Sequence, residues 1–185
     1  MAIPFVRDSS RLVILGLLLL SASAAAQEPA RPMHSRDALL AAARDIMAAA
    51  RYATLITLDA TGHPQARAID PFAPEDDFVV WIGTNRRTRK VGEIRRDPRV
   101  TLYYFDELSA AYVTIRGTAR VMTDSAQTAR HWKPEWEAYY PDRADYVLIA
   151  VTPQRLEIVS EELGIVGDPA TWAPPMVDFS ERREE

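Results

Sequence analysis

The chain contains no cysteine, and this absence removes several kinds of chemistry at once. Without cysteine there is no disulfide, no thiolate metal site and no cysteine nucleophile. Basic residues are not in excess either, because 22 Lys and Arg face 26 Asp and Glu and the formal net charge is −4. This sign disfavours a nucleic-acid partner, whose phosphates must be neutralised by clustered cations.

Long apolar runs are also scarce, and the one that stands out is Leu12–Leu20. Two arginines precede it and Ala24–Ala26 follow it, which gives the three parts of a secretory signal peptide. We therefore expect residues 1–26 to be a cleaved signal peptide, the mature chain to begin near Gln27, and the protein to be periplasmic. The alternative is an uncleaved anchor, but the run is shorter than the ~20 apolar residues of a spanning helix.

Residues 27–36 contain proline and are interpreted as a linker. Ser35 can then cap a helix whose first turn holds Asp37, a favourable charge at the positive end of a helix. Apolar residues follow at helical spacing, as expected for a helix that packs against a core: Ala38, Leu39, Ala42, Ile46 and Ala49.

After this helix the apolar residues recur with a period of two, which is typical of strands. The strand-like runs are Ala53–Asp59, Pro64–Asp70, Phe78–Gly83, Arg99–Phe105, Ala111–Met122, Tyr146–Thr152 and Arg155–Ser160. Short helices are expected from Asp124 through Trp132 and from Pro134 to Tyr140. Because closure of a sheet removes exposed edges, these seven runs predict a mainly β fold with six strands in a closed or nearly closed antiparallel barrel. We place the domain at residues 37–160 and expect an irregular C-terminal extension at 161–185.

The segment Thr84–Pro98, TNRRTRKVGEIRRDP, lies between the third and fourth runs and predicts a strand end, a short loop and a helix from about Thr88. The Thr84 and Thr88 hydroxyls, the Arg89 fork and the Lys90 ammonium would then lie at or near a helix N-terminus. That is the chemistry a phosphate monoester dianion needs, even without a glycine-rich loop. The alternative is a solvated basic helix with ordinary surface arginines.

The string TNRRTRK, followed by IRRDPRVTLYYF, resembles the flavin-binding segment of the pyridoxamine 5'-phosphate oxidase-like superfamily. The hairpin strand ARAID is similar to the other segment of that superfamily that binds flavin mononucleotide (FMN). The resemblance extends from about Asp37 to Ser160. It implies a split β-barrel that forms a homodimer, with FMN in the cleft between the subunits.

The resemblance also implies a set of cofactor contacts. The FMN phosphate would be contacted by Arg67, Arg89 and Lys90, with hydroxyl contacts from Thr84 and Thr88. The backbone of Ala68 and Ile69 would lie along the isoalloxazine ring.

Two departures limit the resemblance. Where the oxidases proper have a flavin-contacting Gln in the fifth strand, this chain has Tyr112, which we retain as a candidate flavin contact, the alternative being a barrel-lining aromatic. Their C-terminal arginine and histidine motif has no counterpart after Ser160. Tyr112, followed by Gly117–Ala119, is more similar to the general stress protein branch, so pyridoxamine 5'-phosphate oxidase activity is not expected.

The predicted function is therefore an FMN-dependent oxidoreductase whose substrate and electron donor the sequence does not identify. The alternative is a non-enzymatic module of the same fold that binds flavin, haem or deazaflavin. The flavin would carry the redox chemistry, and no side chain is assigned as a catalytic acid or base. His63 and His131 are isolated in the sequence and suggest no metal site.

Overall fold

The computed structural model describes residues 34–179. The predicted signal peptide, most of the predicted linker and the last six residues of the extension lie outside the described residues. Helix α1, Arg36–Ala50, begins as predicted: the Ser35 side chain accepts a hydrogen bond from the Ala38 amide at 3.2 Å. Its apolar face packs into the core through Leu39, Ala42, Ala43, Ile46 and Met47.

Seven strands form one antiparallel sheet. They are β1 (Ala53–Leu58), β2 (Pro64–Ile69), β3 (Val80–Asn85), β4 (Arg99–Asp106), β5 (Ala111–Met122), β6 (Tyr146–Val159) and β7 (Met176–Asp178). The order across the sheet is β2-β1-β4-β5-β6-β3, and β7 pairs with β6 beside this path. β2 and β3 therefore stand at the two ends of the order.

The two ends of the sheet approach each other just beyond β2. The Phe72 amide donates to the Trp81 carbonyl in β3 at 2.9 Å, and the Glu75 amide donates to the Val79 carbonyl at 2.9 Å. An open sheet whose ends nearly meet is the split β-barrel expected from the sequence. Its interior holds fully buried residues from the inward faces of the strands, among them Leu55, Leu102, Ile115, Ile149 and Leu156.

Four shorter helices complete the described residues. α2 is Arg89–Arg96 and α3 is Ser125–Arg130, while Pro134–Tyr139 and Arg143–Asp145 are 3₁₀ helices. The predicted helix near 124–132 is thus confirmed but shorter, and the one near 134–140 has the tighter 3₁₀ form. Within residues 34–179, no helix is long and apolar enough to cross a membrane.

Three strand predictions differ from the structure. The runs expected as separate strands on either side of Pro153 form the single strand β6. The ladder with β5 continues because a register shift opposite Arg116 and Gly117 absorbs the proline, which lacks an amide donor. β3 begins later than predicted, since Phe78 has a positive φ of 65° that belongs to a turn.

The third difference is β7, a strand in the segment expected to be irregular. Met176–Asp178 follows the proline-containing stretch and pairs with β6, where Leu156 faces Val177. Val177 is 2% exposed, so this short strand seals one side of the core.

Candidate functional site

The site is built at the start of α2, where the predicted phosphate-binding segment lies. Thr88 is the residue before the helix, but its hydroxyl donates to the Asn85 carbonyl at 2.9 Å and makes no capping bond to the helix. The first amides of an α-helix have no partner within the helix itself. The positive end of α2 therefore remains available to an anion.

Lys90 links the first turn of α2 to the end of β3. Its ammonium donates to the Thr84 hydroxyl at 2.9 Å, and Thr84 is itself 4% exposed. The hydroxyls of Thr84 and Thr88 lie 3.4 Å apart. The two predicted hydroxyls and the predicted lysine thus form one hydrogen-bonded group.

Arg67 reaches the same helix from β2. Its guanidinium donates to the Thr57 hydroxyl at 2.5 Å and to Glu93 Oε2 at 2.8 Å. Thr57 in turn donates to Glu93 Oε2 at 2.5 Å, and both Thr57 and Glu93 are buried. The structure therefore brings Arg67 and Lys90 to one place from strands and a helix that are distant in sequence.

Glu93 also pairs with Arg89. Arg89 Nε lies 2.9 Å from Glu93 Oε1, although the arginine side chain is 70% exposed and the glutamate side chain only 3%. The contact is an ion pair without hydrogen-bond geometry, so Oε1 is a buried acceptor with no hydrogen bond among the described residues. One carboxylate thus lies between two guanidinium groups.

Neither Glu93 nor Thr57 is among the residues predicted from the sequence. Each of the two residues has one weak signal in the sequence. Glu93 stands four residues after Arg89, the spacing of an ion pair along a helix. Thr57 is the polar member of an otherwise apolar face of β1 that begins with Ala53 and Leu55.

The charges of this cluster shift one another's titration. Burial raises the pKa of Glu93, but the Thr57 hydrogen bond and Arg67 outweigh it and hold that pKa below its ordinary value. Burial and the neighbouring Arg67 charge lower the pKa of Lys90, while Glu93 opposes that shift. With both groups charged, the three cations and one carboxylate give a formal charge of 3 − 1 = +2.

A phosphate monoester fits this donor set. A cavity of about 480 Å³ lies beside α2 and is lined in part by Thr88, Arg89 and Glu93. Lys90, Thr84 and Arg67 are not among the residues that line this cavity. The Lys90 ammonium has three N–H donors and uses one of them on Thr84. Charge-assisted donors of this kind are the usual partners of phosphate oxygens.

The other predicted residues lie outside this cluster. Ala68 and Ile69 follow Arg67 in β2, where Ala68 is exposed and Ile69 is buried. Tyr112 lies on β5, with its ring 5.7 Å from that of Tyr103, and no contact joins it to Lys90 or Arg67 among the described residues.

The two histidines considered in the sequence analysis each contact a neighbouring side chain. His63 hydrogen-bonds Thr61 in the β1–β2 turn, and the His131 ring stacks on Trp81 at 4.6 Å. Among the residues that the structure describes, no group of three or more His, Asp or Glu could hold a metal ion.

Residues 39–160, more than half of the chain, match the sequence model of a protein family described as pyridoxamine 5'-phosphate oxidase. The chain belongs to the pyridoxamine 5'-phosphate oxidase family. The match covers the strands and the helix that carry Arg67, Thr84, Thr88, Arg89 and Lys90.

Solved structures of this family have the same fold. A protein from Clostridium acetobutylicum, related to general stress protein 26, aligns with a TM-score of 0.64 at 20% identity, over 77% of this chain and 96% of its own. A pyridoxamine 5'-phosphate oxidase-related, FMN-binding protein from Nostoc punctiforme aligns with a TM-score of 0.56 at 16% identity, over 69% and 84%. At these identities the likeness establishes the fold alone.

Two solved structures with other names share the fold, and one curated protein matches in sequence. A heme-binding protein from Mycobacterium smegmatis aligns with a TM-score of 0.52 at 24% identity, over 63% of this chain and 52% of its own. An F420 reductase aligns with a TM-score of 0.51 at 22% identity, over 61% and 94%. Protein bli-3 of Neurospora crassa is 22% identical over 103 residues, which are 55% of this chain and 49% of bli-3, so the match spans about half of that relative.

Proposed function

We propose that this chain binds FMN by its phosphate at the start of α2 and acts as an FMN-dependent oxidoreductase. The observation that carries the proposal is the hydrogen bond from Lys90 to Thr84 at a helix start that the Thr88 side chain does not cap, with Arg67 bonded to Glu93 of the same helix. Each charge-assisted hydrogen bond to a phosphate contributes about 1.5–3 kcal/mol. A few of them are enough to distinguish FMN from a flavin without phosphate.

The flavin ring would extend from the phosphate along β2. When bound, FMN supplies the hydride or electron transfer, and the protein supplies binding and orientation. β2 is at one end of the sheet order, so one of its backbone edges has no neighbouring strand among those described. The exposed Ala68 and its neighbour Ile69 would offer this free backbone edge to the polar edge of the ring.

We propose that the remaining wall of the flavin site comes from a second copy of the chain. Tyr103, Phe105 and Tyr112 project from the outer faces of β4 and β5, and the rings of Tyr103 and Phe105 stack at 6.5 Å. Phe105 is 48% exposed, and Tyr52, the residue before β1, is 52% exposed. An exposed aromatic patch of this kind is typical of an interface, and a homodimer could carry Tyr112 to the partner's flavin.

The experiment that tests the cofactor is a titration of the purified mature protein with FMN and with riboflavin. We expect FMN to bind at least about tenfold more tightly, because riboflavin lacks the phosphate. We also expect bound FMN to be bleached by a reductant and reoxidised by an electron acceptor. Equal affinity for the two flavins would contradict the phosphate site, and a Soret band in the isolated protein would favour the haem alternative.

The dimer has its own measurement. Light scattering of the FMN-loaded protein should give the mass of two chains with two flavins. A monomer that holds one FMN per chain would show that the outer aromatic patch does not complete the site.

A further inference from the structure

A buried carboxylate is an unexpected component of a phosphate site. Glu93 is 2% exposed, and its two oxygens face different guanidinium groups, Oε2 at 2.8 Å from Arg67 and Oε1 at 2.9 Å from Arg89. The buried Thr57 hydroxyl donates to the same Oε2. This negative charge would repel the phosphate that the surrounding cations attract.

When no phosphate is present, the Glu93 carboxylate balances part of the positive charge of the neighbouring cations. Arg67 and Lys90 are close enough for the guanidinium to disfavour the charged ammonium. Without Glu93, neither Arg67 nor Arg89 would have an ion-pair partner among the described residues. Like charges held together in a partly buried place destabilise a fold, and removing one member of a buried ion pair is especially costly.

We propose that Glu93 is an internal counter-anion that takes the place of the cofactor phosphate in the cofactor-free chain. It holds Arg67 and Arg89 in position while the site is empty, and it lowers the affinity for the phosphate that later arrives. The inference rests on the proposed function only in that the site receives a phosphate monoester. It assigns Glu93 as a positioning and specificity-determining residue, not as a catalytic one.

Charge balance extends the inference to the class of ligand. With Glu93 ionised, the cluster carries a formal charge of 3 − 1 = +2, which a phosphate monoester dianion neutralises. A singly charged carboxylate or phosphodiester would leave one positive charge without a partner. For these four side chains the ligand of matching charge is therefore a dianion, while the cavity beside them is also lined by Asp59 and by Arg86, Arg87, Arg95 and Arg96.

The test substitutes the carboxylate by its neutral isostere, Glu93→Gln, in the full mature chain without cofactor. The matched control is Glu157→Gln, because Glu157 pairs with Arg116 at 3.4 Å on the surface, away from the site. Thermal unfolding is followed in inorganic phosphate and in sodium chloride of equal ionic strength. FMN and riboflavin affinities are then measured for each protein.

We expect the Tm of Glu93→Gln to fall by about 5–10 °C in chloride. Phosphate should raise that Tm by several degrees more than it raises the Tm of the wild type or of the control, because the anion replaces the missing charge. The variant should bind FMN at least as tightly as the wild type, up to about tenfold more tightly. Riboflavin affinity should not change.

A phosphate stabilisation no larger in Glu93→Gln than in the wild type, or weaker FMN binding by the variant, overturns the inference. If the variant folds only when phosphate is present, that result supports it directly. The double variant Glu93→Gln, Arg89→Gln keeps the formal charge at +2, so we expect its Tm in chloride to recover and its extra response to phosphate to diminish. Failure of wild-type FMN binding would contradict the proposed function, yet the phosphate response would still test Glu93.

Discussion

Replacing Lys90 separates phosphate binding from an ordinary surface role for this basic helix. Lys90→Ala removes the ammonium, and Lys90→Met removes it while keeping a side chain of similar length. The Lys90 ammonium is partly buried, interacts with the Arg67 charge and lies 2.9 Å from the Thr84 hydroxyl, so two of its three N–H donors remain for a phosphate. The loss of one charge-assisted contact should reduce FMN binding by about 1.5–3 kcal/mol, or about 10- to 150-fold in Kd.

The assay is a fluorescence or calorimetric titration of each variant with FMN and with riboflavin. Riboflavin carries the same ring without the phosphate, so its affinity should hardly change. Arg116→Ala is the matched control, since Arg116 is exposed on β5 and pairs with Glu157 at 3.4 Å on the surface, away from the site. It should leave both affinities nearly unchanged.

Lys90 is not a phosphate ligand if Lys90→Ala and Lys90→Met weaken the binding of FMN and riboflavin equally, or weaken neither. Equal weakening would indicate a damaged fold, and Tm measurements would show it. No weakening would mean that the basic helix is a solvated surface feature.

Four further predictions concern the titration of Lys90, two glycines and the N-terminus. Because burial and Arg67 lower the pKa of Lys90, its ammonium loses its proton below the ordinary pKa of lysine. FMN affinity relative to riboflavin should therefore fall as the pH rises toward 10, and Lys90→Met should not show this fall. Gly117→Ala should lower stability by about 1–3 kcal/mol, because its methyl would collide with the Thr152 carbonyl. Gly92→Ala, with open space at that position, should leave the Tm unchanged or raise it slightly. Mass spectrometry of the exported protein should find a mature chain beginning near Gln27.

Each of these has a contradicting outcome. A ratio of FMN to riboflavin affinity that stays constant from pH 7 to pH 10 would show that deprotonation of the Lys90 ammonium does not affect FMN binding. Equal thermal unfolding of Gly117→Ala and the wild type would show that the bulge between β5 and β6 can open at little cost. An intact Met1 on exported protein would exclude cleavage.

The sequence was sufficient for most of the fold because the strands have strong local signals. The alternation from Ala111 to Met122 predicts β5 with its observed bounds, and Ser35 with Asp37 predicts the start of α1. The sequence was insufficient where the pairing of strands decides whether a strand forms and where it ends. Whether the chain stays in one strand across Pro153 depends on an irregularity in the ladder with β5, and β7 forms because β6 offers it an edge.

The candidate site shows the same division. The residues Thr84, Thr88, Arg89 and Lys90 are close in sequence, so their grouping at a helix start could be predicted. Glu93 and Thr57 could not be assigned to the site from the chain order, because their roles depend on α2 lying against β1. Among the described residues, no contact joins Tyr112 to Lys90 or Arg67. Local sequence patterns do not indicate how far apart such residues lie in the fold.

The position of the cluster between β2 and β3 has a mechanical consequence. Arg67 comes from one end of the sheet order and Thr84 from the other, and α2 contacts both. A bound phosphate would connect β2 and β3, the two strands at the ends of the sheet order. Amide hydrogens of β2 and β3 should then exchange with deuterium more slowly when FMN is present, while those of β4 and β5 in the centre of the sheet keep their rates. Release of FMN would then require β2 and β3 to separate, so FMN should dissociate more slowly when that separation is restrained.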